Sequence, residues 1–244
     1  MGTYTNIQCI DGFGAQYQKI IETYIYCMMN NRHFVYRPFK TIEHNYNNNI
    51  MYTTMLENMI NLKNNIENDE KEVAKEIDFG KYIREWFDNN IDNCCKSEHM
   101  SFIKKCFWEH KSKNVFNNNC LNVAIHIRRE NLHDNGQAGE RITTPNEYYL
   151  KIMNTIRNKH DNNKQLKFHI YSQGSISNFK LLQKEDVIFH LDEDICKTFI
   201  ELVGADILVT SPSSLSYVAA LISDGEIYYK PFWHKPCSHW NYVI

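Results

Sequence analysis

The chain has 244 residues, of which 23% are charged, and a formal net charge of −2. That length can bury a substantial core as one large domain or two small ones, and the near-neutral charge excludes the basic footprint of a nucleic-acid binder. No apolar run approaches a membrane span, and no apolar segment of secretory type follows Met1. The eight cysteines, at positions 9, 27, 94, 95, 106, 120, 196 and 237, form no C-x-x-C pair, and adjacent Cys94 and Cys95 make a poor zinc motif. With no N-x-Ser/Thr acceptor either, a cytoplasmic, thiol-reducing location is expected, a membrane anchor outside this sequence being left open.

In chain order, Tyr4–Ile10 reads as a first strand, Asp11-Gly12-Phe13-Gly14 as a turn, and Ala15–Met29 as a helix with apolar residues at helical spacing. Strand, glycine turn and helix together bring backbone N–H groups toward an anion. A Gly-x-Gly without a third glycine is equally a tight turn that needs small residues. His33–Arg37 is a possible second strand, ended by Pro38. Helices are expected over Met51–Ile66, Lys71–Asn89 and Glu98–Trp108, with Met55, Met59, Leu62 and Ile66 as a core stripe. Tyr82, Trp86 and Phe87 read as packing or as an acceptor-facing surface. The Asn-rich tracts 45–49 and 117–119 are loops by composition. The second marks an expected boundary between a largely helical region, 1–119, and an α/β region, 120–244.

The second region opens on Leu121–Asn131, LNVAIHIRREN. An apolar, β-branched run of this kind suits a central parallel strand buried on both faces. Further strands are expected near 166–171, 186–190, 206–210 and 226–230, with helices near 145–158, 176–183, 194–204 and 213–223. That alternation is the pattern of a doubly wound parallel sheet. Arg128 and Arg129 then fall at a carboxyl strand end, where open α/β sheets bind ligands. Their guanidinium forks match phosphate geometry, though an arginine there can also simply meet solvent or a carboxylate. Thr210–Ser216, TSPSSLS, follows another apolar strand and opens a helix. A helix N-terminus of this type binds phosphate. Capping accounts for one hydroxyl, and four serines in six positions are more than a cap needs.

Three segments carry a family resemblance: Gly12-Phe13-Gly14-Ala15-Gln16, His126-Ile127-Arg128-Arg129, and Ala205–Val209 running into Ser213-Ser214-Leu215-Ser216. In order and spacing they resemble the fucosyltransferase superfamily of α1,2-, α1,6- and protein O-fucosyltransferases. The resemblance implies a GT-B-like glycosyltransferase that uses GDP-fucose by a metal-independent, inverting mechanism, with a glycan or other hydroxyl acceptor and no cofactor beyond the donor. Carried over residue by residue, Arg128 would hold the β-phosphate, His126 would lie beside the diphosphate and nucleoside, and Ser213, Ser214 and the Leu215 amide would cradle the phosphates. Gly12, Gly14 and Gln16 would let the N-terminal loop approach the donor. Asp194 or Thr198 would stand nearest the family's guanine-reading position.

The sequence departs from the family pattern where Glu130-Asn131 follow the second motif, where Ala15 replaces an Asn, and where Tyr171-Ser172-Gln173 lacks an Asp. The general base is therefore not fixed by the resemblance; Glu130, Asp11, Asp134 and Glu140 are candidates. A transferase for another nucleotide sugar, and a non-catalytic GDP-sugar- or glycan-binding protein, stand as alternatives. Pro231–His234 and Trp240 read as aromatic packing onto the sheet or as a sugar-stacking surface.

Overall fold

The computed structural model describes residues 2–45, 47–66, 74–129, 144–160 and 165–243. Among the described residues no helix is long and apolar enough to cross a membrane. The chain divides into two compact units, one of Met1–Ser112 with Pro231–His239, the other of Lys113–Lys230 with Trp240–Ile244.

The first unit is built around helix α1, Phe13–Met29. Its apolar side chains Tyr17, Ile20, Ile21 and Ile25 are almost fully buried, and so are polar Gln18, Glu22 and Thr23 on its other side. A helix covered all round is a core element rather than a surface one. Strands β1 (Thr3–Thr5), β2 (His33–Val35) and β3 (Lys75–Glu76) form a small parallel sheet in the order β2-β1-β3. The first strand is shorter than its apolar pattern predicts. At Asn6 the side chain takes over from the ladder, donating to Arg37 O and accepting from Arg37 N, both at 2.9 Å.

Helix α2 (Tyr52–Ile60) stops at Asn61, whose φ of 54° is left-handed. Its buried face is Leu56, Met59 and Ile60, whereas Met55 is 36% exposed. The expected stripe 55/59/62/66 thus fails because the helix ends before its last two members. Buried Glu57 on the same helix accepts from the Tyr36 hydroxyl and, at 2.6 Å, from the Phe39 amide. The single helix expected over 71–89 is also corrected. Residues 67–73 lie outside the described residues, and from there the chain gives β3, a π-helical turn Phe79–Ile83, and helix α3, Arg84–Asn89. Helices α4 (Ile91–Lys96) and α5 (Glu98–Trp108) follow, with the Ser97 hydroxyl capping α5 by accepting from Met100 N at 3.1 Å.

The second unit holds a parallel sheet of β4 (Leu121–His126), β5 (Leu166–Ser172), β6 (Val187–Leu191), β7 (Ile207–Val209), β8 (Glu226–Tyr229) and β9 (Asn241–Tyr242). The order is β6-β5-β4-β7-β8-β9, and every pairing is parallel. The fold class is therefore α/β, with a Rossmann-type parallel sheet in the C-terminal region and a more helical N-terminal region. Side chains alternate across the sheet. Val123, Ile125, Phe168, Ile170, Ile207 and Val209 pack under helix α6 (Asn146–Lys159) and a 3₁₀ segment, Ile176–Leu182. The latter was expected as an α-helix, but Phe179 leaves helical geometry at φ −120°, ψ 19°. On the opposite face Tyr171 donates to Glu201 of α7 (Ile195–Gly204), and Tyr229 packs on Tyr217 of α8 (Ser214–Ile222). Trp240 joins Tyr217 and Tyr229 on this sheet as expected, but Pro231–His239 belongs to the first unit. There His234 is buried against Gln18, and Arg84 donates to Trp233 O at 3.1 Å.

Glu22 sits in α1 with no exposure; Gln18 donates to its Oε1 at 2.7 Å, and its Oε2 has no partner. Burial pushes its carboxyl up to about 8. A carboxyl protonated when folded and ionised when unfolded costs stability as pH rises from about 4.5 to about 8. Glu22→Gln should flatten that loss. In urea unfolding, the variant should gain on the native chain, on the order of a few kcal/mol, between pH 5 and pH 8.

Candidate functional site

The strand order makes the site. From β4 the chain moves outward through β5 to β6, then crosses back to β7 and β8 on the other side of β4. The helices that follow β4 and β7 lie on opposite faces, α6 on one and α8 on the other. A crevice at such a reversal is where open parallel sheets hold ligands. Both strand ends are polar in this chain.

On the β4 side, parity divides the side chains. His126 shares the face of Tyr171, with which it is in register, while Ile127 is packed into the core on the α6 side. His126 is 7% exposed and its Nδ1 lies 2.9 Å from Ser211 Oγ, a contact that ties the two strand ends together. Burial, and then the neighbouring Arg128 charge, lower its pKa to about 3, so the ring is neutral. It acts at neutral pH as a hydrogen-bonding group, not as a cation. Arg128 is half-buried and its Nη1 reaches Gln173 Oε1, 3.4 Å away, at the end of β5. Arg129 turns to the other face. There it donates to Thr144 O at 3.0 Å and Asn146 Oδ1 at 2.5 Å, with Phe179 5.5 Å beneath the guanidinium. Arg128 thus faces the crevice edge, while Arg129 ties the strand to the start of α6.

On the β7 side, the serines have separate tasks. Ser213 is the N-cap of α8, its hydroxyl accepting from Leu215 N at 3.3 Å. Ser211 and Ser216 build the loop itself: Ser211 N donates to Ser216 Oγ at 3.1 Å, and Ser216 Oγ lies 3.2 Å from Ser211 O. Of the three hydroxyls in excess of a cap, those of Ser211 and Ser216 are used inside the turn. Ser214 and Leu215 are half-exposed in the first turn of α8, where the helix carries its partial positive charge. Thr210 accepts from Lys230 N at 3.0 Å and so fixes the end of β8 to this loop.

Sequence reasoning passed over the residues that hold Arg128 in place. Ser172 Oγ donates to Ile127 O at 2.7 Å, and Ile127 N donates to Tyr171 O at 2.9 Å. Gln173 then precedes Gly174, whose φ of +99° is left-handed and suits glycine. The signal was the Gln-Gly pair just past a strand end. Asp194 caps α7, accepting from Lys197 N at 3.0 Å, and is exposed; Thr198 lies one turn further along. Both follow β6, two strands from β4, or roughly 10 Å across the sheet.

Gly12, Gly14 and Gln16 lie in the first unit. Gly12 is the N-cap of α1, and a Cβ there would meet the His44 ring at 3.2 Å. Its φ of −65° is ordinary, so close approach, not a left-handed turn, calls for glycine. Gln16 is buried, and its amide nitrogen donates to Asp11 O at 2.8 Å and Thr41 O at 2.7 Å. Asp11 is paired with Lys19 at 3.0 Å. Glu130, Asp134 and Glu140 lie outside the described residues.

No protein-family model matches the sequence, and no curated protein is significantly similar to it. Among solved structures, the chain is similar to NodZ α-1,6-fucosyltransferase co-crystallised with GDP, with 10% identity and a TM-score of 0.44 over 91% of this chain and 92% of that one. A second NodZ structure, soaked with GDP-fucose, gives 9% identity and a TM-score of 0.42 over the same shares. A mutant of Arabidopsis thaliana FUT1 in complex with GDP gives 9% and 0.42 over 98% of this chain and 71% of that one.

Two measurements separate the roles. Arg129→Ala, which strands the Thr144 carbonyl and the Asn146 side chain, should lower unfolding stability by about 1–3 kcal/mol, and Arg128→Ala should cost clearly less. His126 and His169 stay neutral when folded, with pKa lowered by burial to about 3 and about 4. The unfolded chain takes up those protons below about pH 6.5, so stability is present above that pH and is lost as pH falls toward the folded values. A denaturant midpoint that drops between pH 7 and pH 5, and drops less in His126→Gln, is the expected result.

Proposed function

We propose that the chain is a glycosyltransferase that binds a nucleoside-diphosphate sugar at the β4/β7 reversal and transfers the sugar to an acceptor hydroxyl. One observation carries the reading. Neutral His126, at the end of β4, is bonded to Ser211 in the loop that leads into α8, and Arg128 follows it by two residues, at the carboxyl edge of a parallel sheet where its winding reverses. GDP-fucose is the donor named by the motif resemblance, and an inverting transfer without a metal is the mechanism that goes with it. Another nucleotide sugar on the same site is the nearest variant of this reading. Free thiols without paired spacing suit a cytoplasmic setting.

The chemistry follows from charge. As the glycosidic bond to the diphosphate breaks, the sugar gains positive character and the departing diphosphate gains negative charge. Groups fixed in advance where that charge appears stabilise the transition state most. Arg128 supplies a permanent cation, and Ser213, Ser214 and the Leu215 amide supply donors at a helix N-terminus, the Leu215 amide by exchanging its bond to Ser213 Oγ for the diphosphate. His126, being neutral, adds a hydrogen bond beside the diphosphate without competing for its charge. Asp194 and Thr198 are the positions for reading the base. Gln16 serves by holding the Gly12–Gly14 turn in shape. Glu130 is the proposed general base, drawing the proton from the acceptor hydroxyl.

A thermal-shift panel with GDP, UDP and ADP, with no metal added, tests the donor site: GDP should raise Tm most, and equal shifts would remove GDP-sugar binding. Arg128→Ala should then lower donor turnover by an amount on the order of 3 kcal/mol in the barrier, with the fold intact by circular dichroism. Equally slow donor hydrolysis by both proteins would mark a binding module instead of an enzyme.

A further inference from the structure

The first unit contains a second cluster of chemically active side chains, unrelated to the sheet edge of the other unit. Asp92 and Cys95 stand three residues apart on α4 and so share one face of it. Cys237 and His239, two residues apart in the returning segment, lie opposite. One carboxylate oxygen of Asp92, the Cys237 sulfur and one ring nitrogen of His239 all fall within 4.8 Å of one another. Cys95 Sγ lies 2.8 Å from Cys237 Sγ. Ser238 N donates to Asp92 Oδ1 at 2.8 Å, which fixes the carboxylate against this segment.

We infer that Asp92, Cys237 and His239, completed by Cys95, form a zinc-binding site that fastens Pro231–His239 to α4. The donor set is mixed oxygen, nitrogen and sulfur, which suits a borderline-soft divalent ion and is poor for magnesium or calcium. Around tetrahedral zinc, ligand atoms stand about 3.3–3.8 Å apart, and the three atoms, within 4.8 Å of one another, draw in to that spacing by side-chain rotation. Cys95 Sγ stands outside that group of three, and to complete the shell its side chain must rotate so that the two sulfurs part by roughly 1 Å while Cys95 turns toward Asp92 and His239. On binding, each thiol gives up its proton to solvent and its sulfur lone pair to the metal; nothing is oxidised or reduced. Four protein ligands leave no open position, so the ion is structural and takes no part in sugar transfer. A surface depression lined by Asp88, Asp92, Lys235 and Ser238 opens on the Asp92 side of the cluster.

The spacing hides this site from sequence motifs, because two ligands lie near residue 93 and two near residue 238. The other dense group, His190, Glu193 and Glu201, is committed elsewhere. His190 Nδ1 is 3.0 Å from Glu193, its Nε2 is 3.0 Å from His169, and Glu201 accepts from Tyr171.

The test uses the full chain, reduced and stripped with a chelator, then titrated with zinc against a chromophoric competitor and separately with cobalt(II). One zinc per chain, a thiolate-to-cobalt absorption band and a higher Tm with metal are expected. Cys237→Ser should abolish the cobalt band. His239→Ala, at an exposed residue, should weaken zinc by about tenfold or more, while Cys120→Ser should bind as the native chain does. No zinc binding by the reduced protein, or binding unchanged in both Cys237→Ser and His239→Ala, would overturn the site. A chain that loses two protons by mass on exposure to glutathione disulfide, with Cys95 joined to Cys237, and that takes no metal once reduced, would identify a redox pair and overturn it equally.

Discussion

Strand β4 is hydrogen-bonded along both edges, to β5 and β7, and Val123, Ala124 and Ile125 are without exposure on either face. A strand so enclosed can place polar groups only at its ends, since an unpaired polar atom between the layers would cost several kcal/mol at about the level of a lost hydrogen bond or more. In this chain the polarity is pushed to the carboxyl end, where His126, Arg128 and Arg129 emerge in succession. Because side chains alternate, the three cannot share one task. Two go to the α7/α8 face and one to the α6 face, and the neighbours then decide what each does.

The electrostatic character of the edge follows from which charges survive burial. A ring as enclosed as His126 gives up its proton, whereas a guanidinium keeps its charge in almost any setting. Arg128 therefore keeps a permanent charge at the sheet edge from which the loop into α8 also starts. The serine loop matters less for its hydroxyl count than for its rigidity, since two of its serines bond within the turn and hold the amides of α8 in position. Preorganisation of this sort is what makes a few donors effective against developing charge.

Much of the second unit was legible because its buried strands read as short apolar or alternating runs between turn residues. Leu121–His126, Leu166–Ser172 and Glu226–Tyr229 lie where the composition put them. Helix α1 was equally plain, its apolar residues recurring at helical spacing. Strand alternation puts Arg129 on the opposite face from Arg128, and its bonds to Thr144 and Asn146 lie there. What stayed hidden depended on tertiary partners. Nothing local marks Asn61 as a left-handed helix stop, so the stripe through Met55 looked continuous. The Asn6 side chain replaces backbone pairing only because Arg37 lies beside it. Likewise, the ring contact between His169 and His190 joins neighbouring strands 21 residues apart, and periodicity carries no trace of it.

The return of Pro231–His239 to the first unit, before Trp240 rejoins the second, has a consequence for how the chain is made. His234 fills a buried place against Gln18, and Trp240 closes the face of Tyr217 and Tyr229. An N-terminal unit usually folds while the rest is still on the ribosome. Here it lacks the segment that carries buried His234 and Cys237 until synthesis has passed His239, so both units reach completion together. The long loop closed by that segment slows the search more than it weakens the result. During that interval the surface around Gln18 and Glu22 is uncovered, and it is polar, which makes the waiting intermediate less adhesive than an open apolar core would be.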